Sequence, residues 1–346
     1  MKPRLHRLAR RFWAGELGWG GSALGLALWP LEILWRTVTA IRNRRFDRGA
    51  TVRIEGLAVV SVGNLAVGGT GKTPVTSWVV RTLERLEARP AVLLSGYGLD
   101  EVDLHRSWTP TVPVIATRDR VEAARRAGRA GANVAVLDDG FQHRRLGRDL
   151  DIVLLAVEDR VPGACLPRGP YREPIDALRR ADVLVLTRRS ATVEQAHELA
   201  RKLADLHIAS SDAVTACARL AARTIRPLVG TQSDVARAPL VNPLVMTAVA
   251  RPEKFGHDVE ALVGAPVEVF AFADHHRFTL RDARRARARA GSRPIVVTEK
   301  DAVKLVELAD VLGDVQVVEQ RVVWDWGEAE VRARLHGIAE RVRGAP

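Results

Sequence analysis

The segment from Gly63 to Pro74, GNLAVGGTGKTP, holds the residue types that phosphate chemistry needs. Gly68, Gly69 and Gly71 let main-chain N–H groups turn toward phosphate oxygens, with Thr70 among them. Lys72 would reach the β- and γ-phosphates of a nucleotide, and the Thr73 hydroxyl would face Mg²⁺. The spacing matches the Walker A loop except that its first glycine is Ala66 here. A second stretch, LDDGFQH from Leu137 to His143, follows an apolar run. Asp138 and Asp139 would then stand at the carboxyl end of a strand, where open parallel sheets bind ligands. A carboxylate there could hold Mg²⁺ directly or through water.

The elements that position these groups can be read nearby. Val59 to Val62 is a β-branched run suited to a buried parallel strand, and Val134 to Leu137 is another. After Pro74, the apolar residues Val75, Trp78, Val79, Leu83 and Leu86 follow helical spacing. Further strand candidates lie at 91–95, 151–157, 182–187, 243–249, 266–272 and 294–298, alternating with helical segments. The fold expected is α/β: a P-loop NTPase-like parallel sheet with helices on both faces, a second smaller α/β lobe and an N-terminal membrane-associated helix. A proline-rich stretch without periodicity, from Arg226 to Pro243, marks a junction. The division expected is 1–50, 51–225 and 226–346.

A chain of 346 residues is long enough for two domains. Its net charge of +12 favours anionic partners such as phosphorylated substrates or an acidic membrane face. Nucleic acid is not expected, because basic residues are not interleaved with aromatics outside the N-terminus. No obligate protein partner is inferred. Cys165 and Cys217 build no disulfide framework and lie in no CxxC, which fits a reduced, cytosolic setting.

The first fifty residues differ from the rest. Basic residues at 2, 4, 7, 10 and 11 precede an apolar stretch, and arginines at 36, 42, 44, 45 and 48 follow it. Only 15 uncharged residues separate Glu16 from Glu32, short of the roughly 20 that a crossing requires. Trp13, Trp19, Trp29 and Trp35 fall in this segment, and Trp with flanking Arg suits an anionic membrane surface.

Taken together, the segments resemble the tetraacyldisaccharide 4'-kinase family. The resemblance rests on VGNLAVGGTGKTP (62–74), GYG (96–98), RDR (118–120), LDDGFQH (137–143), LPRGPYREP (166–174), FAFADHHRFT (270–279) and TEKDAVKL (298–305). It implies two α/β lobes and transfer of the γ-phosphate of ATP, with Mg²⁺, to a sugar hydroxyl of an acylated glucosamine disaccharide. It also implies action at the cytoplasmic face of the bacterial inner membrane. By position it assigns ATP contact to the loop from Gly68 to Thr73, and metal binding to Thr73, Asp138, Asp139 and Glu173. Gln142 and His143 would line the site, and Arg120 and Arg172 would join Lys72 in neutralising the transferred group. Asp100, assisted by His275, would take the hydroxyl proton, with Asp103 and His276 as rivals in this sequence.

Two other functions fit part of the pattern. One is a kinase for another small-molecule or cofactor acceptor on the same loop. The other is a membrane-associated nucleotide switch in which TEKD, Thr298 to Asp301, reads guanine.

Overall fold

The computed structural model describes residues 8–9, 11–68, 70–96, 99–208, 210, 212–229, 240–249, 252–274 and 276–344, without the side chains of 99, 100, 222 and 223. In chain order the first elements are α1 (Gly18–Asp47), β1 (Ala58–Asn64), α2 (Lys72–Arg85), β2 (Pro90–Leu94), α3 (Leu99–Trp108), β3 (Val114–Ala116), α4 (Arg120–Arg129) and β4 (Val134–Asp138). Then come β5 (Leu150–Ala156), β6 (Val183–Arg188), α5 (Val193–Asp205) and β7 (Val214–Pro227). The remainder comprises β8 (Leu244–Thr247), α6 (Pro252–Val263), β9 (Glu268–Ala271), α7 (Leu280–Ala290), β10 (Ile295–Thr298), α8 (Glu299–Leu305), α9 (Ala309–Leu312), β11 (Val315–Trp326) and α10 (Glu328–Arg343).

The chain folds as two compact units. The first comprises Met1–Tyr97, Trp108–Arg219 and Val322–Pro346; the second comprises Gly98–Ser107 and Leu220–Arg321. The junction expected near residue 226 therefore falls inside β7. The end of the chain returns to the first unit because Trp324 packs edge-on against Trp78, ring centroids 4.8 Å apart, and Trp326 stacks on His197.

Seven strands of the first unit run parallel in the order β3-β2-β4-β1-β5-β6-β7. From β1 the chain passes beyond β4 to reach β2, and later returns to β5 on the other side of β1. The adjoining carboxyl ends of β1 and β4 thus form a topological switch point, the usual place for a ligand in such sheets. Val62 and Asp138 are register partners there. Both strands are buried on both faces, which is why they read as continuous apolar runs rather than alternating ones. Helix α2 begins at Lys72 with Gly71 as its N-cap at φ 87°, and buries Val75, Val79, Val80 and Leu83. Pro74 falls in the first turn, where its missing N–H needs no partner.

The second unit carries β11, β10, β8 and β9, again parallel. Ala283, Ala286 and Ala290 bury the inner stripe of α7 against Leu244, Met246, Ile295 and Val297. The arginine-rich segment is thus, from 282 to 290, a helix whose small residues pack and whose long cationic ones face outward or pair.

Helix α1 has 30 residues, about 45 Å at 1.5 Å per residue. By length and composition alone it could cross a membrane. Glu32, which interrupts its apolar run in the sequence, is only 2% exposed. Its carboxylate accepts from the Cys165 N–H at 2.8 Å and pairs with Arg168. Trp19, Leu26, Trp29, Leu34, Val38 and Ile41 remain exposed.

Candidate active site

The phosphate loop leaves β1 at Asn64, a fully buried residue. The Asn64 amide nitrogen donates to the Ala66 carbonyl at 2.7 Å and to Thr70 Oγ1 at 2.8 Å. Its Oδ1 accepts from Lys72 Nζ at 3.2 Å. One side chain therefore spans the loop and holds its lysine. Ala66 is bridged to Tyr171, and positive φ occurs instead at Gly68 (142°) and Gly71 (87°). The turn lies on those glycines, so the position of the first Walker glycine tolerates a Cβ. Gly69 lies outside the described residues.

Asp138 ends β4 and is buried; Asp139 follows in the left-handed region at φ 56°, which short polar residues tolerate best. A Cβ on Gly140 would lie 2.6 Å from that of Leu137 and 2.7 Å from Ser61 Oγ, so only glycine lets the chain turn away here. The turn aims Asp139 at two cations. Arg172 Nη1 donates to its carboxylate oxygens at 2.9 and 3.0 Å, and Lys72 Nζ lies 3.6 Å away. Gln142 braces the group: its Oε1 accepts from Arg172 at 3.2 Å, and its Nε2 donates to the Asn64 carbonyl at 2.9 Å. Burial alone would raise the Asp139 pKa, but Lys72 and Arg172 outweigh it and hold the carboxyl below its ordinary value.

Arg120 is buried and donates to the carbonyls of Thr117 at 3.0 Å and Asp138 at 3.3 Å, so it pins the end of β4. Burial brings it down to about 10, against the pull of Asp138 and Asp139. Burial, followed by the Arg120 charge, also lowers His143 and favours the neutral ring.

Lys72, Thr70, Asp139, Arg172 and Gln142 thus form one contact network, with Asp138, Arg120 and His143 beside it. Glu173 is held by a different set of donors. It has no exposed surface, and its carboxylate accepts from Asn43 at 2.7 Å, Arg180 at 2.8 Å and Arg42 at 3.4 Å. Its two oxygens thus meet donors on α1 and near residue 180, tying that helix to the residue after Arg172. In the second unit, Asp100 is described only as a residue of α3, and His275 lies outside the described residues. The rival Asp103 pairs with Arg106 at 3.5 Å on the helix surface. The rival His276 donates from Nε2 to the Asp282 carboxylate at 3.0 Å and stacks on Phe272. Asp301 of TEKD is buried and accepts from Thr247 Oγ1, the Ala248 N–H and Thr298 Oγ1 at 2.8, 3.0 and 2.8 Å. Asn64 went unread in the sequence, although an asparagine directly after a buried strand and before a glycine-rich loop was its visible signal.

Asp138 and the Thr73 hydroxyl are hard oxygen donors suited to Mg²⁺. Among the described residues no cluster of three or more His, Cys, Asp or Glu could hold a metal alone, so most ligands would come from phosphates and water.

Comparison with known proteins agrees with this geometry. Residues 24–340 match the family model described as tetraacyldisaccharide-1-P 4'-kinase. The tetraacyldisaccharide 4'-kinase of Anaeromyxobacter sp. (strain K) is 37% identical over 331 residues, covering 85% of each chain. That of Syntrophobacter fumaroxidans is 36% identical over 361 residues, covering 96% of this chain and 92% of its own. A crystal structure of LpxK from Aquifex aeolicus, described as an "apo" form in complex with ATP, superposes with a TM-score of 0.71 at 25% identity, covering 91% of this chain and 99% of that one. With a relative above one-third identity along most of the sequence and a family model matching residues 24–340, the chain belongs to the tetraacyldisaccharide 4'-kinase family.

Proposed function

We propose that this chain binds ATP on the loop from Gly68 to Thr73 and transfers its γ-phosphate to the 4'-hydroxyl of a tetraacylated glucosamine disaccharide 1-phosphate. The product is the bis-phosphorylated lipid A precursor. The observation that carries the reading is the convergence of Lys72 and Arg172 on Asp139 beside the glycine-rich turn. Phosphoryl transfer needs alignment and neutralised charge more than covalent chemistry. Lys72 would contact the β- and γ-phosphates, and Arg172 would meet the charge on the transferred group. Asp138 and Thr73 would hold Mg²⁺, which when bound screens the phosphate oxygens. Asp100 would orient the acceptor hydroxyl and receive its proton late, with His275 sharing it.

The exposed apolar face of α1 and its trailing arginines support a peripheral or monotopic position on an anionic membrane, at the cytoplasmic face of the inner membrane. The guanine-switch reading loses its main support, because the carboxylate it needs, Asp301, is occupied inside the second unit.

The deciding assay incubates the purified protein with labelled ATP, Mg²⁺ and the acylated disaccharide, alongside Asp100→Ala and Asp103→Ala. Label in the disaccharide, lost with Asp100→Ala, supports the reading. Phosphorylation of a soluble metabolite instead would favour the other kinase, and a GTP preference without product would favour the switch.

A further inference from the structure

Arg172 is gripped through its backbone by two different parts of the first unit. Its N–H donates to the Leu65 carbonyl at 2.7 Å, on the phosphate-loop side. Its carbonyl accepts from the indole Nε1 of Trp35 at 2.9 Å, on α1. The next residue, Glu173, is the buried carboxylate that Arg42 and Asn43 of α1 hold together with Arg180. Arg180 in turn lies over the ring of Phe141 in the DDGFQH turn, 4.2 Å from its centroid. A second set of bonds reaches the same loop: Glu32 of α1 takes the Cys165 N–H, and Trp13, just before the helix, donates to the Pro167 carbonyl at 3.1 Å. Arg144 returns the contact at the far end, donating to the Asn43 carbonyl at 3.0 Å and to Asp47 at 2.6 Å.

Polar groups on one face of α1 therefore dock along 165–173, while its apolar side chains point outward. A helix required only as a membrane anchor would need no directional bonds to the residue that carries the site's arginine. We propose that α1 is a positioning element for phosphoryl transfer: Trp35 and the Asn43–Glu173 contact fix the Arg172 peptide so that its guanidinium stays on Asp139, which couples seating of the membrane helix to the competence of the phosphate site. This rests on the kinase reading above and adds a route by which the lipid-facing helix acts on catalysis as well as on location. A guanidinium must be held within a fraction of an ångström to stabilise developing charge, and the side-chain bonds to Asp139 and Gln142 do that only while the peptide behind them stays put.

The test uses the full-length protein in mixed micelles with ATP, Mg²⁺ and the acylated disaccharide, comparing Trp35→Phe, Asn43→Ala and the pair. Trp35→Phe keeps an aromatic side chain and removes the indole N–H donor together with its five-membered ring. The expected result is a fall in kcat of about tenfold for the pair, with KM for the lipid within about twofold and unchanged flotation with anionic vesicles. Unchanged kcat in the pair, or a rise in lipid KM at constant kcat, overturns the proposal and leaves α1 as an anchor. Should the pair fold poorly, as judged by its melting transition, Trp35→Phe alone decides, with a loss of kcat expected and wild-type kcat overturning. A wild-type protein that never labels the disaccharide would instead sink the proposed function.

Discussion

Arg172 and Asp139 meet through a single guanidinium nitrogen that reaches both carboxylate oxygens, at 2.9 and 3.0 Å. The carboxylate comes from a left-handed residue at a strand end, and the cation from a loop stitched to the N-terminal helix. Arg172→Ala should lower kcat about 10²–10³-fold, the range for losing one preorganised donor in a polar site. Arg172→Lys should recover only part of it, because an ammonium can replace the one nitrogen that serves Asp139 and Gln142 but leaves no further N–H groups for the transferred phosphoryl. Steady-state kinetics at saturating ATP separate the two.

The pair also sets a pH dependence. The folded-state pKa of Asp139 is depressed, so its ionised form is favoured by folding. Its contribution is complete above the ordinary carboxylate value of about 4 and is lost as pH falls through the lowered value. Urea melts of wild type and Asp139→Asn should therefore converge as the buffer is taken below about pH 4 and differ by a constant amount above it. A difference that grows with acidity would contradict the assignment.

Asn64→Ala should raise KM for ATP and lower stability by about 1–3 kcal/mol, since Thr70 and the Ala66 carbonyl lose their partner while Lys72 loses an acceptor. Asn64→Asp should be worse for nucleotide despite its shape, because it adds negative charge beside the triphosphate. Titration with a non-hydrolysable ATP analogue reads both.

Much of this site was legible because it depends on local pattern. Val59–Val62 and Val134–Leu137 read as buried strands, and Asp138 at the end of the second follows directly. The contacts that went unread share a cause. Glu32 read as a break in an apolar run, and no pattern tied Glu173 to α1, yet the two are the ends of the docking between α1 and the 165–173 loop. Contacts separated by more than a hundred positions leave no spacing to read. The same holds for Gly98–Ser107, which belongs with residues far along the chain, where Lys300 lies 3.9 Å from Glu101.

Asp301→Ala should destabilise the protein by about 1–3 kcal/mol and leave the preference for ATP over GTP unchanged. The buried carboxylate ties Thr247 and the Ala248 N–H to the start of α8, so its loss orphans donors in the second unit. Urea denaturation with an unchanged m-value, together with nucleotide competition, checks both halves.

Serine at Trp19, Leu26 and Ile41 together should weaken flotation with anionic vesicles, since these side chains are among the most exposed apolar groups of α1. High salt should weaken wild-type binding only partly, by screening the arginines and not the apolar face.

The amine of Lys72 is tethered at rest to Asn64 and Asp139, and the side chain is only 14% exposed. A free lysine at the mouth of a pocket would have to give up its rotational freedom when a ligand arrives, at a cost of about 1.5–2 kcal/mol. Here most of that loss is incurred during folding, so an incoming polyanion exchanges partners with a cation already in place, and the rate of capture depends little on the lysine searching for it.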